Sequence, residues 1–466
     1  MNATMHVVRV LGKLEPGGAQ LALLRLSCEL RRRHGVRTRL IVGDATHEGM
    51  CLAQRHGVPA IAFRTRSIVD PVRNLQWQRS QRFAGWLTDK LADADLVHAH
   101  MVGAWWAVGQ VIQPGTPFLA TEHNQVNWPR RRVRSLRPIA GRIDRFYAMG
   151  PAAWQFAVEA GVRADAMRPA RSPIAGLNAT LRQGLGTPRL TFAGRFCPDK
   201  GPDVLVEAIG LLHRPDLSAY LLGDGPLRSQ LVDRIEDLGL AGSVFMPGWV
   251  EKPWAYIAGS AVHVVPSREE AWSQSAVLGL GLGVPVVGTD VDGLANTLSH
   301  YRGITVAPDD PHALKQAIAD VLAGRWHLDR LAARRYAHQY TPARIADFYL
   351  AEYQAMLTDQ VRSRDLIDSS SGKEGSGRIA AAETTPPEAD PDGSHGSRGA
   401  GPTSRQPWQH GALMASIDHV APADTATTGP ASPVLPALRD DGLTALLALE
   451  ELGHESRDLG GPFQWE

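Results

Sequence analysis

Residues 6–11 read HVVRVL, residues 12–18 follow as GKLEPGG, and residues 19–33 read AQLALLRLSCELRRR. The first run is short and almost wholly apolar, the pattern of a buried strand, and the last carries apolar residues at helical spacing. The glycine pair Gly17-Gly18 makes the turn between them. Strand, glycine turn and helix in this order predict a parallel sheet with helices on both faces. Outward from this unit the alternation repeats. RTRLIV (37–42), DLVHAH (95–100), PFLATEH (117–123) and RFYAMG (145–150) read as strands, and residues 102–112 as a helix.

A turn-rich break, GLGTP at 184–188, precedes a second series. PRLTFAG (188–194), AYLLGDG (219–225), SVFMPG (243–248), AVHVVPS (261–267) and PVVGT (285–289) read as strands, with amphipathic helices over 203–213 and 227–240. The expected fold class is therefore α/β, with two sheet-forming halves of roughly 170 residues each. The expected boundaries are 1–183 for the first domain and 184–340 for the second. A final helix over 341–358 opens on Thr341 and Pro342, a favoured N-cap and first helical position, and belongs to a segment assigned to 341–360. Beyond it, residues 361–435 are rich in Ser, Gly, Pro, Ala, Thr and Asp, which predicts a largely disordered tail over 361–466 with a short helix near 437–451.

Composition narrows the function classes. Of 466 residues, 44% are hydrophobic and 21% charged, ordinary values for a globular chain, and the formal net charge is +1. That charge gives no global reason for a nucleic-acid or membrane partner. The three cysteines, Cys28, Cys51 and Cys197, are widely spaced with no CxxC pair, which supports neither a disulfide framework nor a metal site. No basic, then apolar, leader is read at Met1–Gly12, and Ala276–Thr289, the most apolar stretch, is too short to span a bilayer. The expected location is cytoplasmic, with a peripheral position at the inner membrane face as a variant.

The residues that carry chemistry stand at predicted strand ends, where α/β sheets collect ligands. Gly17-Gly18 would let an anion approach the uncapped N–H groups of a helix start, or else make only a tight turn. In AGRFCPDKG (193–201), Arg195 and Lys200 are two cations suited to phosphate oxygens, or else solvated surface charges. LGDGPL (222–227) offers Gly223 and Gly225 at a third strand end. After AVHVVPS come Glu269 and Glu270 and a helix start near Ser273. A carboxylate there suits a polyol, or else merely complements the helix dipole, worth about 0.3–1 kcal/mol. His98, His100 and His123 close two strands of the first half; of these His123 is the stronger candidate.

This ordered series resembles the retaining glycosyltransferases of family 4, which have the GT-B fold. The matching residues are Pro16 to Gln20, His98-Ala99-His100, Thr121-Glu122-His123, Ala193-Gly194-Arg195 through Lys200-Gly201, Gly223 to Leu227, Pro247 to Val250, Pro266-Ser267 with Glu270, and Gly283 to Val286. They cover roughly residues 5–358. The resemblance implies two Rossmann-like domains facing a cleft, with the final helix returning to the first domain. It implies a nucleotide-sugar donor, a substrate rather than a cofactor, held mostly by the second domain, and an acceptor held by the first. Arg195 and Lys200 would bind the donor diphosphate with the backbone at Gly17-Gly18 and Gly225. His123 would sit beside the transferred sugar, and Glu270 with Ser273 and Gln274 would hold its hydroxyls. Trp249, in the segment 247–250, would lie near the base. Family members usually need no metal, and transfer retains the anomeric configuration.

Two departures are visible. Leu278 stands where the family places a second glutamate, eight residues after the first, and RSPIAG (171–176) replaces the usual Asn-Gly before the domain linker. Losing a ribose contact to a charged acceptor costs about 1.5–3 kcal/mol, or roughly ten- to a hundredfold in affinity. The resemblance thus implies an active transferase acting on a polysaccharide, a lipid-linked or a small-molecule acceptor. Leu278 keeps two others open: a catalytically silent binding or scaffold protein, and a GT-B enzyme with a non-standard donor. One stretch lies outside the series. WPRRRVRSLRPIAGRIDR (128–145) holds seven arginines and one aspartate. It is expected to touch anionic lipid or a lipid-linked phosphate acceptor, or else to form a solvated helix face. Nucleic acid is disfavoured, because no aromatic platform interleaves the arginines.

Overall fold

The computed structural model describes residues 4–66, 81–123, 128–179, 189–299 and 302–371. The apolar runs of the first half become strands β1 (His6–Leu14), β2 (Arg37–Thr46), β3 (Ala60–Arg66), β4 (Leu96–His100), β5 (Phe118–Glu122), β6 (Arg145–Ala148) and β7 (Met167–Pro169). They form one sheet in the order β3-β2-β1-β4-β5-β6-β7, parallel at every pairing. The second half supplies β8 (Arg189–Ala193), β9 (Ser218–Leu222), β10 (Val244–Gly248), β11 (Val262–Val265), β12 (Val286–Thr289) and β13 (Ile304–Val306). These pair in parallel in the order β10-β9-β8-β11-β12-β13.

Every residue of β4, β5, β11 and β12 is buried, the polar His98, His100, Thr121 and His263 included, which explains why these strands show no inside-outside alternation. Three strands escaped the sequence reading, each at or near a sheet edge. β7 and β13 are three residues long, and β7 ends in Pro169, which is tolerated at an edge. β3 mixes arginines and a threonine with its apolar residues. Each half has its own core. Val8, Trp105, Phe118 and Phe146 centre the first, and Leu190, Phe192, Val206, Leu221 and Ile318 the second.

The last helix, Pro342–Ser371, is longer than expected. No proline or glycine interrupts it before Gly372, so the compositional shift placed at residue 361 does not stop the helix there. Its residues Ile345, Ala346, Tyr349, Tyr353 and Met356 bury against Val7, Leu26, Leu30, Leu96 and Tyr147 of the first half. Asp347 ties it to Arg33 and His34, and Tyr147 donates to Glu352 at 2.8 Å. The break at 184–188, the tail beyond residue 371 and the helix near 437–451 lie outside the described residues. Among the described residues no helix is long and apolar enough to cross a membrane.

Candidate active site

Strand order reverses between β1 and β4 in one sheet and between β8 and β11 in the other, and such switch points open a crevice at the strands' carboxyl ends. The predicted residues follow these strands. Gly17 and Gly18 follow β1, His100 ends β4, Arg195 and Lys200 follow β8, and Glu270 follows β11; His123 follows the neighbouring β5.

The loops after β8 and β11 are clamped together. The Arg268 and Glu269 N–H groups donate to the Asp199 carbonyl at 2.9 and 3.2 Å. Gly201, at φ +61°, is obligatory here, since a β-carbon would stand 2.0 Å from the Pro266 carbonyl oxygen. The clamp delivers Lys200 Nζ to Glu270 Oε2 at 2.9 Å, and the Ser267 hydroxyl donates to the same oxygen at 3.3 Å. Burial alone would lower the Lys200 ammonium, but Glu270 and Asp199 outweigh it and hold it above its ordinary value. Lys200 is therefore a fixed cation. Of the two candidate carboxylates, Glu270 takes this partner, while Glu269 is exposed.

Arg195 is directed elsewhere. It is 58% exposed and lies 3.8 Å from Glu15 Oε1, in the first half. Lys13 donates to that same Glu15 oxygen at 2.5 Å. Lys13 and Glu15 were not singled out from the sequence, although they flank the predicted turn in KLEPGG; two cations now share one carboxylate three residues before Gly18.

The helix starts converge as well. Gly17 is an extended N-cap with no side-chain cap for the helix Gly18–His34, so its first N–H groups stay available. In the second half Ser273 caps the helix Gln274–Leu282, its hydroxyl accepting from Ala276 N at 3.3 Å. A β-carbon on Gly18 would find Gln274 Nε2 at 3.5 Å. The two halves also meet where Gly150 abuts Ala271, a β-carbon there falling 2.5 Å from the Ala271 carbonyl oxygen.

Other predicted residues are placed differently. Gly225 makes room for protein: a β-carbon would lie 2.5 Å from the Phe196 carbonyl oxygen. Trp249 is 41% exposed, and the neighbouring Gly248 carbonyl accepts from Gly223 N at 2.8 Å, which sets this segment beside the 222–227 turn. Leu278 lies one turn beyond Gln274, only 5% exposed and packed with Ile174, Val265 and Ala276. An apolar side chain thus fills the position expected for the second glutamate.

His123 is partly buried and does not stand alone. Its Nε2 lies 3.2 Å from His100 Nδ1, and His100 Nε2 lies 3.2 Å from the Arg9 guanidinium. Arg9 is fully buried and also donates to the Tyr353 hydroxyl at 2.8 Å. Burial, and then the Arg9 charge, pulls the His123 imidazole down to about 4. Burial, His98 and Arg9 push His100 well below the ordinary value too. Arg9 was missed, although an arginine inside HVVRVL signals a buried partner, because an unpaired interior charge is costly.

The arginine stretch forms no single helix face. It breaks into short helices at Arg130–Arg134 and Arg137–Ala140 and then enters β6. Arg142 donates to the Gly109 and Ile112 carbonyls, Arg145 sits 3.9 Å from Asp359, and Arg132 stacks over Trp128 at 3.8 Å. Arg130, Arg134 and Arg137 line an open cavity of ≈ 290 Å³ with Glu159.

Comparison with known proteins addresses the family and the fold. The profile described as Glycosyltransferase Family 4 matches residues 16–168, and that described as Glycosyl transferases group 1 matches residues 187–324. The D-inositol 3-phosphate glycosyltransferase of Xylanimonas cellulosilytica is 31% identical over 322 residues, covering 62% of this chain and 74% of that one. Its counterpart from Jonesia denitrificans is 28% identical over 312 residues, covering 61% and 71%. Among solved structures, Anabaena HepE in complex with UDP-glucose superimposes with a TM-score of 0.62 at 17% identity, covering 75% of this chain and 100% of that one. A glycosyltransferase from Rickettsia africae gives 0.62 at 17% identity, covering 76% and 99%. On its own sequence and fold, the chain belongs to glycosyltransferase family 4 and is a glycosyltransferase of the GT-B fold.

Proposed function

We propose that the protein transfers a sugar from a nucleoside-diphosphate sugar to a hydroxyl acceptor with retention of anomeric configuration. The carrying observation is the convergence of Lys200, paired with Glu270, and the uncapped helix start at Gly18, which faces Gln274. Lys200, Arg195 and the Gly18 N–H groups neutralise the leaving diphosphate, the charge that grows in the transition state. That anion displaces the carboxylates that Lys200 and Arg195 hold in the free protein. Glu270 then accepts hydrogen bonds from sugar hydroxyls, while Ser273, Gln274 and His123 border the sugar and Trp249 the base. The bond from the anomeric carbon to the phosphate oxygen breaks as the acceptor oxygen bonds on the same face, and the acceptor's proton passes to the leaving phosphate. The assignment of a nucleotide donor also draws on HepE, whose structures hold UDP and UDP-glucose. The inositol phosphate relatives favour a small polar acceptor over a polymer.

Incubation with UDP-, GDP- and ADP-sugars tests this. One donor is expected to release its nucleoside diphosphate and give a product whose anomeric coupling in proton NMR matches the donor. An inverted product rules out the proposed same-face path. No release and no binding across the panel, from folded protein, instead favours a silent scaffold, the reading that buried Leu278 supports.

We propose that the exposed Arg130, Arg131, Arg134 and Arg137 meet an anionic membrane surface, with the enzyme at the membrane periphery. Each basic residue contributes about 1 kcal/mol near such a surface. Co-sedimentation is expected with vesicles containing phosphatidylserine and not with neutral ones. Equal binding to both removes the membrane role.

A further inference from the structure

The chain Arg9–His100–His123 contains a direction that the coordinates of heavy atoms fix without any hydrogen being seen. A guanidinium has only donors. At 3.2 Å, Arg9 therefore makes His100 Nε2 an acceptor, and a neutral His100 must carry its hydrogen on Nδ1. That hydrogen points at His123 Nε2, 3.2 Å away, and the two rings are inclined by only 26°, which suits an in-plane N–H···N bond. His123 Nε2 is then an acceptor in its turn, and the neutral ring carries its hydrogen on Nδ1. Among the described residues, Nδ1 of His123 has no hydrogen-bond partner, so this N–H is available to a ligand.

We infer that Arg9 is a positioning residue that sets the tautomers of His100 and His123, so that His123 offers an Nδ1–H donor to a substrate oxygen and is not a general base. The oxygen is a sugar hydroxyl or a phosphate oxygen; this identification, unlike the tautomer itself, rests on the function proposed above. Arg9 is in turn held by the Tyr353 hydroxyl on the last helix, 344 positions further along the chain. The docking of that helix is thereby coupled to the hydrogen-bonding character of the cleft. A protonated His123 would turn a second N–H against His100 Nδ1–H, and the depression of its titration to about 4 agrees with this picture.

The test begins with the ligand-free, full-length protein labelled with ¹⁵N-histidine, so it does not depend on activity. Two-bond nitrogen–proton correlation at neutral pH, with His123 assigned through His123→Asn, is expected to show hydrogen on Nδ1 of His123. A hydrogen on Nε2, or a doubly protonated ring, overturns the inference. In Arg9→Met the single tautomer is expected to give way to a mixture at both rings, and Arg9→Lys, which keeps a donor, is expected to restore it. The second readout is kinetic. An asparagine amide reproduces a donor at the Nδ1 position, so His123→Asn should retain about tenfold more kcat than His123→Ala. If the two variants are equally slow while the wild-type tautomer is the predicted one, the donor role is wrong although the tautomer ladder stands. If no variant or wild type turns over any donor, the proposed function fails independently of the tautomer.

Discussion

Lys200→Ala is expected to lower kcat/KM for the donor by about 10²–10³, the size of effect produced by deleting one preorganised group that meets transition-state charge. The ammonium is held by the clamped loops after β8 and β11 and is only 27% exposed, so water screens it poorly. Arg195→Ala is expected to cost less, about tenfold, because its side chain is 58% exposed and more fully screened. Steady-state kinetics on both variants decide the ranking. An Arg195 effect larger than that of Lys200 would make Arg195, and not Lys200, the main contact of the diphosphate. Unchanged kinetics in Lys200→Ala would remove it from the site. The expected loss is not one of folding, because the apolar cores of both halves lie elsewhere.

Gly223→Ala is expected to destabilise the second half by about 3 kcal/mol or more. Gly223 sits at φ +154°, a conformation open almost only to glycine, and a β-carbon would fall 1.9 Å from the Gly194 carbonyl oxygen. The obstacle is backbone, so no side chain can swing aside. Gly194 N and Gly223 N both sit in the ladder that joins β8, β9 and β10, donating to Leu222 and Gly248. Relief of the clash therefore displaces Arg195 as well. Gly239→Ala is the matched control. Its φ is +67°, but nothing lies within 4 Å of the added carbon, and about 1 kcal/mol is expected. Urea unfolding of the two variants reads the difference; equal losses would mean that backbone conformation alone, and not the close approach of β8, dictates the glycine.

Much of this molecule is legible from local pattern. Fully buried parallel strands announce themselves as short apolar runs, and the turns after β1, β8 and β11 carry glycines and cations that the sheet order then places at two switch points. Short edge strands such as β7 and β13 carry too few residues for any period to register. The site was legible where a charged residue directly follows a readable strand, as Lys200 does after β8 and Glu270 after β11, and illegible where a residue's role depends on a partner that no such motif marks. Arg9 with Tyr353, and Arg195 with Glu15, are pairings between segments that no spacing rule connects. At Gly225 the structure adds a demand that the sequence does not show: the Phe196 carbonyl oxygen stands 2.5 Å from where a β-carbon would lie. The final helix overran its expected end because composition changes before helix-forming capacity does.

The most direct test is a crystal structure of the protein soaked with the nucleoside diphosphate that it releases. The pyrophosphate is expected within about 3 Å of Lys200 Nζ and of the Gly18 N–H, with Glu15 and Glu270 turned away from their present cations. A diphosphate bound anywhere else, with the Lys200–Glu270 pair intact, would contradict the site assigned here.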